Sequence, residues 1–176
     1  MDVRPCQPGD YPAIRDIHNF YIEHTVVNFE EAPLALDEIE ARVISCTGSY
    51  PWLVGVEDNA VIGYAYANRW QTRSAYRLSV ETTIYLAPGS GGRGYGGILY
   101  ANLLDCLRQQ GLHTAVAGIA LPNAASVALH ERSGFSKVAH FAEVGWKLGR
   151  WVDVGYWQIR LAPGDDNDGR VGPTCP

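Results

Sequence analysis

The stretch that decides the fold is 81-ETTIYLAPGSGGRGYGGILYANLL-104. Its first part belongs to RLSVETTIYLAP, a β-branched and aromatic run closed by Pro88, which is predicted to be a strand. A loop with six glycines between Gly89 and Gly97 follows. The chain then enters ILYANLLDCLRQQG, a predicted helix with Leu99, Leu103, Leu104 and Leu107 on one face and Gly111 as its stop. Glycine permits positive φ and lets a ligand approach the backbone closely. The helix start behind the loop offers unpaired N–H groups and a positive dipole end. Together they form an anion site, most naturally for a pyrophosphate. The plainer alternative is a flexible strand-to-helix connection.

Working toward the N-terminus, AVIGYAYANRW and PWLVGVED read as two strands joined at Asp58-Asn59, a good hairpin turn. A helix is expected from about Leu36 to Ser45, with Asp37, Glu38 and Glu40 near its positive end. Another is expected from an Asp10 cap to about Glu23, with Pro12 in its first turn and Ile14, Ile17 and Tyr21 at helical spacing. A short strand precedes it. Toward the C-terminus, TAVAGIAL reads as a buried strand and NAASVALHERSG as a short helix ending at Gly134. FSKVAHFAEVGWKLGRW and VDVGYWQIRL supply the last strands. The fold class is α/β (α+β), one sheet with helices on both faces. Residues 1–162 form a single domain, and the polar tail 163–176 is expected to be disordered.

A chain of 176 residues with 47% hydrophobic and 19% charged residues suits one globular domain. The net charge of -5 argues against nucleic acid and anionic membranes as partners. No run approaches the roughly 18 apolar residues of a spanning helix, and MDVRPCQPGDYPAI lacks a signal-peptide apolar core, so a cytoplasmic location is expected. The four cysteines form no CxxC pair and the histidines no HExxH. Free thiols and no metal are therefore expected.

Three phosphate-binding classes compete for the glycine loop. A Walker loop needs G-K-[ST], and the loop has no lysine. Gly89 to Gly94 spells GxGxxG, but the acidic ribose partner of a dinucleotide fold is missing, since Leu107 to His130 contains no Asp or Glu. The third class is the acetyl-CoA loop, [QR]-x-x-G-x-[GA]. Gly94-Tyr95-Gly96 matches its end, while its first position falls on Gly91. The chain resembles GNAT acetyltransferases, and within them the phosphinothricin and methionine sulfoximine N-acetyltransferases. The matching segments are NFYIEHTVVNF (19–29), YPWLV (50–54), WQTRSAY (70–76), ETTIYL (81–86), LPNAASVALHERSGF (121–135) and GRWVDVGYWQ (149–158).

The resemblance implies a mixed, mostly antiparallel sheet with a splayed centre that admits acetyl-CoA. It also implies a small amine acceptor and a homodimer. The backbone of Ile84, Tyr85 and Leu86 is expected to pair with the pantetheine amides as an added strand would. Gly92, Arg93, Gly94, Tyr95, Gly96 and Gly97 are expected to hold the pyrophosphate, with Arg93 partly replacing the polar side chain absent at Gly91. Asn123, Ser126 and Arg132 are further cofactor positions, Asn123 reading equally as a helix cap.

Glu81 interrupts an uncharged strand. A carboxylate there is costly unless paired or used, and burial raises its pKa toward a useful range for a base. The resemblance places the catalytic glutamate at Glu81 and an active-site histidine at His130. A salt bridge for Glu81 and a structural role for His130 stand as alternatives. Arg73 and Tyr76 precede the strand, and the resemblance places substrate contacts at both. Guanidinium suits a two-pronged grip on a carboxylate. Val154 is expected to help close the acceptor pocket. Cys106, among leucines, reads as core rather than nucleophile. A non-catalytic acetyl-CoA-binding module and a nucleotide-dependent oxidoreductase are the competing function classes.

Overall fold

The structure is a computed structural model that describes residues 1–161 and Gly172; the rest of the polar tail lies outside the described residues. The element order is β1 (Asp2–Pro5), α1 (Tyr11–His24), α2 (Leu36–Thr47), β2 (Trp52–Glu57), β3 (Ala60–Arg69), β4 (Ser79–Leu86), α3 (Tyr95–Gln109), β5 (Thr114–Leu121), α4 (Ala124–Arg132), β6 (Ser136–Lys147) and β7 (Arg150–Arg160). The strands form one sheet in the order β1-β2-β3-β4-β5-β7-β6. Every neighbouring pair is antiparallel except β4 and β5, the two strands that flank the glycine loop and α3.

That parallel pair is short. It runs through Ser79↔Thr114, Val80↔Ala115 and Glu81↔Val116 and then ends. Beyond Glu81, β4 stays with β3 as far as Gly63↔Leu86, whereas β5 follows β7 as far as Leu121↔Asp153. The strands are led apart by different partners, and the sheet is splayed at its centre.

Strand alternation sorts the core into two layers. Leu53, Ala65, Ala67, Val80, Ala115, Ala117 and Ile119 pack on Leu99, Tyr100, Leu103 and Leu107 of α3. Trp52, Val54, Tyr64 and Tyr66 point the other way, onto Ile14 and Ile17 of α1 and Ile39 and Val43 of α2. Helices therefore cover both faces. On β4 the same alternation puts Thr82 on the α3 side, where its hydroxyl meets Tyr100 Oη at 2.7 Å. Glu81, Thr83 and Tyr85 consequently share the α1–α2 side.

Three local expectations change. The helix after the loop begins at Tyr95 rather than Ile98, because Gly94 adopts φ +81° as its N-cap, leaving Gly96 and Gly97 in the first turn. The last hairpin turns at Leu148-Gly149, both at positive φ, so β6 runs on to Lys147 and absorbs an irregularity between Phe141 and Gly145. Asp10 is the N-cap residue of α1 but gives that helix no side-chain cap bond. Its carboxylate instead takes both prongs of Arg4, at 2.7 and 2.8 Å, and the Gln7 amide at 2.8 Å.

Candidate active site

Glu81 stands where the central strands part. Its neighbours across the gap are set by β5 and β7: a Cβ built on Gly118 would lie 3.6 Å from Glu81 Oε1 and 3.3 Å from the Tyr156 ring. The absence of a side chain at Gly118 thus leaves a notch between a carboxylate and a phenol. Tyr156 is wedged edge-on between Trp70 and Phe141, with ring centroids at 5.6 and 5.7 Å. Burial raises the Glu81 pKa above the ordinary carboxylate value. Burial, and then the Glu81 charge, raise that of Tyr156. A half-buried carboxylate shifted upward is suited to taking a proton from an amine near neutral pH.

A cavity of about 550 Å³ opens beside this notch on the α1–α2 side. Thr83 and Tyr85 of β4, Gly118 and Ala120 of β5, and Val154 and Tyr156 of β7 form its floor. Its walls include Val27, Phe29, Phe141 and Val144, and its polar end His18, Asn28, Glu30 and Arg42. The size and the mainly apolar lining with a few convergent polar groups fit a small organic molecule.

The other side of the fork is built for an extended anionic ligand. Past Glu81, the edge of β4 that faces β5 has no strand partner. Ile84, Tyr85 and Leu86 lie along this edge. The Tyr21 hydroxyl donates to the Leu86 carbonyl at 2.8 Å and pins the strand end. The Tyr85 side chain is committed to the α1 side, packed on Tyr21 at 4.8 Å between centroids and bonded to Asn28. Only its backbone is placed toward the gap.

In the loop, Gly89, Gly92 and Gly94 have φ of +83°, +78° and +81°. The first helical bond of α3 runs from Ile98 N to Gly94 O at 3.2 Å, so the amides of Tyr95, Gly96 and Gly97 precede it and lack a helical acceptor. A Cβ at Gly91, Gly92, Gly94 or Gly97 would meet nothing within 4 Å. Gly97 is therefore required neither by positive φ nor by protein packing, and a ligand lying on the backbone is the remaining physical reason. The first turn of α3 has no acidic residue to compete with an anion. A phosphate chain fits this cradle. Arg93 is turned toward the end of β2, pairing with Glu57 at 3.3 Å and lying over the Tyr95 ring at 4.7 Å. The Tyr95 hydroxyl also donates to Glu57.

On α4, Asn123 Oδ1 accepts the Ser126 amide at 3.1 Å, so the capping role is realised. Ser126 Oγ lies 3.4 Å from His130 Nδ1, which joins the three positions on one helix face. His130 Nδ1 also meets the Ser126 carbonyl at 2.8 Å. A carbonyl only accepts, so Nδ1 carries the proton and Nε2 is left basic. The ring is 3% exposed and packs against Tyr100 and Phe135, at 4.9 and 5.3 Å. Burial lowers its pKa and keeps it neutral. These neighbours belong to the α3 layer, whereas Glu81 faces α1 and α2. The two candidate acid–base residues therefore occupy opposite sides of the sheet and do not form a hydrogen-bonded dyad. Arg132 is exposed at the end of α4.

Arg73 and Tyr76 lie in the exposed segment 71–77, outside the cavity lining, and Arg73 caps a single 3-10 turn, Ser74–Tyr76. The segment leaves the sheet beside Trp70, whose ring touches Tyr156. Sequence reading missed Gly118, Tyr156 and the His18–Glu30–Arg42 group. The period-two alternation of TAVAGIAL puts Gly118 beside Glu81 once the strand order is known. Nothing local marks Arg42, which reads as one more charge on an amphipathic helix.

A family model of the GNAT acetyltransferase domain matches residues 3–155. A phosphinothricin N-acetyltransferase of Streptomyces coelicolor is 40% identical over 165 residues, covering 92% of this chain and 96% of the relative. An L-methionine sulfoximine/L-methionine sulfone acetyltransferase of Salmonella typhimurium is 36% identical, covering 92% and 95%. Among solved structures, a GNAT superfamily phosphinothricin acetyltransferase from Sinorhizobium meliloti, in complex with acetyl-CoA, superposes with a TM-score of 0.90 at 34% identity, covering 93% of this chain and 89% of that one. The likeness runs along nearly the whole chain, which belongs to the GNAT acetyltransferase family.

Proposed function

We propose that the protein transfers the acetyl group of acetyl-CoA to the amino group of a small amino acid of the phosphinothricin or methionine sulfoximine type. The observation that carries this reading is the fork at Glu81, which has an elongated gap and anion cradle on one side and an open cavity sized for a small acceptor on the other. With both substrates bound at the fork, no acyl-enzyme is needed and proximity supplies much of the rate. Glu81 removes one proton from the acceptor's ammonium, directly or through a water; the freed amine attacks the thioester carbonyl, the C–S bond breaks, and CoA leaves as the thiolate, which takes up the second proton given up by the acylated nitrogen. The notch over Gly118 seats the amine between Glu81 and Tyr156. Asn123 and the loop amides hold the donor. His130, neutral with Nε2 basic, steadies the α3–α4 side of the gap rather than sharing a proton with Glu81. Arg73 and Tyr76 sit on the segment beside Trp70, from which Arg73 reaches the acceptor's carboxylate.

The reading includes a homodimer and a cytoplasmic location, where acetyl-CoA and reduced thiols occur together. The dimer is supported by an apolar cluster at the β6–β7 turn, where Trp146, Leu148 and Trp151 are each more than half exposed. No helix among the described residues is long and apolar enough to cross a membrane. The experiment is thiol release from acetyl-CoA with phosphinothricin, methionine sulfoximine, common amino acids, polyamines and peptides. Turnover confined to small α-amino acids bears the proposal out. Turnover of peptides alone moves the acceptor to a protein amino terminus, and acetyl-CoA binding without turnover of any amine makes the chain a binding module.

A further inference from the structure

One side of the acceptor cavity is made by a segment with no regular structure, residues 25–31 between α1 and α2. Val27, Asn28, Phe29 and Glu30 all line the cavity from it. With no helix or strand to hold it, its position depends on side-chain bonds from elsewhere, and three elements supply them. From α1, His18 Nε2 meets Glu30 Oε2 at 2.6 Å, while the Tyr64 hydroxyl lies against His18 Nδ1 at 2.7 Å. From α2, Arg42 Nη2 donates to Glu30 Oε1 at 2.5 Å. From β6, Lys147 Nζ donates to the Asn28 carbonyl at 2.7 Å and to the Glu30 carbonyl. Within the segment, the Glu30 amide donates to Asn28 Oδ1 at 2.8 Å.

Lys147 is the unusual member. It is 4% exposed, and its ammonium is satisfied by two backbone carbonyls and paired with none of the described carboxylates. The carboxylates of Glu31 and Glu30 act on its charge from beyond ion-pair distance, and a shielded ammonium held that way is still costlier than an apolar residue at the same place. What the lysine achieves there is to tie the backbone of the segment to β6. The tie has a visible result. Phe29 lies flat on the bare backbone of Gly145, so that a Cβ built on Gly145 would fall within the ring's own volume. Gly145 stands two residues before Lys147 on β6, so one strand provides both the anchor and the bed for the ring.

We propose that Lys147, with His18 and Arg42 acting through Glu30, is a positioning group that fixes Phe29 and Asn28 as the selectivity wall of the acceptor cavity. The inference rests on the proposed function, because it requires the cavity to take the acceptor. It assigns these residues no part in proton transfer and no contact with acetyl-CoA.

The test compares the wild type with Lys147→Met, Lys147→Arg and Gly145→Ala, using the acceptor that the wild type acetylates best and one with a larger side chain. Lys147→Met removes the tie at similar length, and the acceptor KM is expected to rise about tenfold with kcat and acetyl-CoA affinity within about threefold, the pattern of lost ground-state binding. Lys147→Arg also donates to two carbonyls and recovers most of the loss. Gly145→Ala displaces Phe29 with the tie intact and shifts preference toward the larger acceptor; it carries the test alone if Lys147→Met does not fold. An unchanged acceptor KM in a folded variant overturns the inference, as does a parallel loss of kcat and acetyl-CoA affinity. A wild type that binds acetyl-CoA but acetylates no amine overturns the proposed function and this inference with it; wild-type turnover with silent variants overturns only the inference.

Discussion

Replacing Glu81 with glutamine separates two consequences of its burial. The amide keeps the shape and loses the base, so kcat at neutral pH is expected to fall about 10²–10⁴-fold with acetyl-CoA affinity retained; near-normal kcat would remove Glu81 from the role. The same substitution bears on stability. The folded pKa of Glu81 is raised by burial above its unfolded value. The native state therefore binds more protons than the unfolded state between the two values, and the residue's contribution is fully present below the unfolded pKa and lost as pH rises through the folded one. Glu81→Gln is thus expected to be more stable than the wild type at pH 7, with the gap closing as pH falls below the ordinary carboxylate value. Melting curves at pH 7 and below that value check this. His130 runs with the opposite sign, since its pKa is lowered and its stabilisation is lost as pH falls below its unfolded value. Glu81 was legible as a charge inside an apolar strand. The separation of Glu81 from His130 was not, because which face a residue takes depends on the register of a whole sheet. For Arg73 the discriminating comparison is a free amino acid against its amide. Arg73→Lys keeps the charge and loses the two-pronged grip, and a clear fall in kcat/KM for the free acid alone is expected.

At the scale of the elements, the strand, glycine loop and helix around 81–104 behave as one device. Its parts were readable because each has a local cause: β-branched residues for the strand, leucine spacing for the helix and glycines between them. The start of α3 was less so, since only the backbone shows that Gly94 turns left-handed and draws Gly96 and Gly97 into the helix. Two loop variants test the device in opposite directions. Gly94→Val places a β-branched residue at φ +81° and a side chain where the anion would lie. It is expected to weaken acetyl-CoA binding by about tenfold or more, roughly 1.4 kcal/mol, in a protein whose far-ultraviolet spectrum is unchanged. Gly91→Gln meets open space at an ordinary φ and adds a donor beside the cradle. A severalfold tighter Kd by calorimetry is expected, on the order of one added hydrogen bond to a charged group. The segment 25–31 was opaque for the reverse reason. It has no period, and its anchors come from residues as far apart in the chain as His18 and Lys147.

For the whole molecule, the β6–β7 patch argues for self-association. Trp146 and Trp151 face each other across the hairpin at 5.2 Å and are both more than half exposed. Trp151→Glu is expected to turn a dimer into a monomer in sedimentation, whereas a monomeric wild type would dismiss the patch as an interface. The overall layering was legible, since strand alternation and helix spacing assign most buried apolar residues to one of two large cores. The splay was expected from the family resemblance alone and not from the residues' own pattern, because divergence of β4 from β5 is a property of their other partners. That divergence has a mechanical meaning. Three residue pairs join two half-sheets, and the layer of side chains on α3 spans both, from Leu53 and Val80 to Ile119 and Trp157. The halves are riveted from one face and almost unlaced along the seam. A donor lying in the seam laces it, and at a hundredfold excess over Kd it adds about 2.7 kcal/mol to the free energy of unfolding. Amide exchange should then slow most at Thr82–Leu86 and least along β6. The same lacing is expected to slow proteolytic cleavage that proceeds through unfolding, which digestion with and without acetyl-CoA checks.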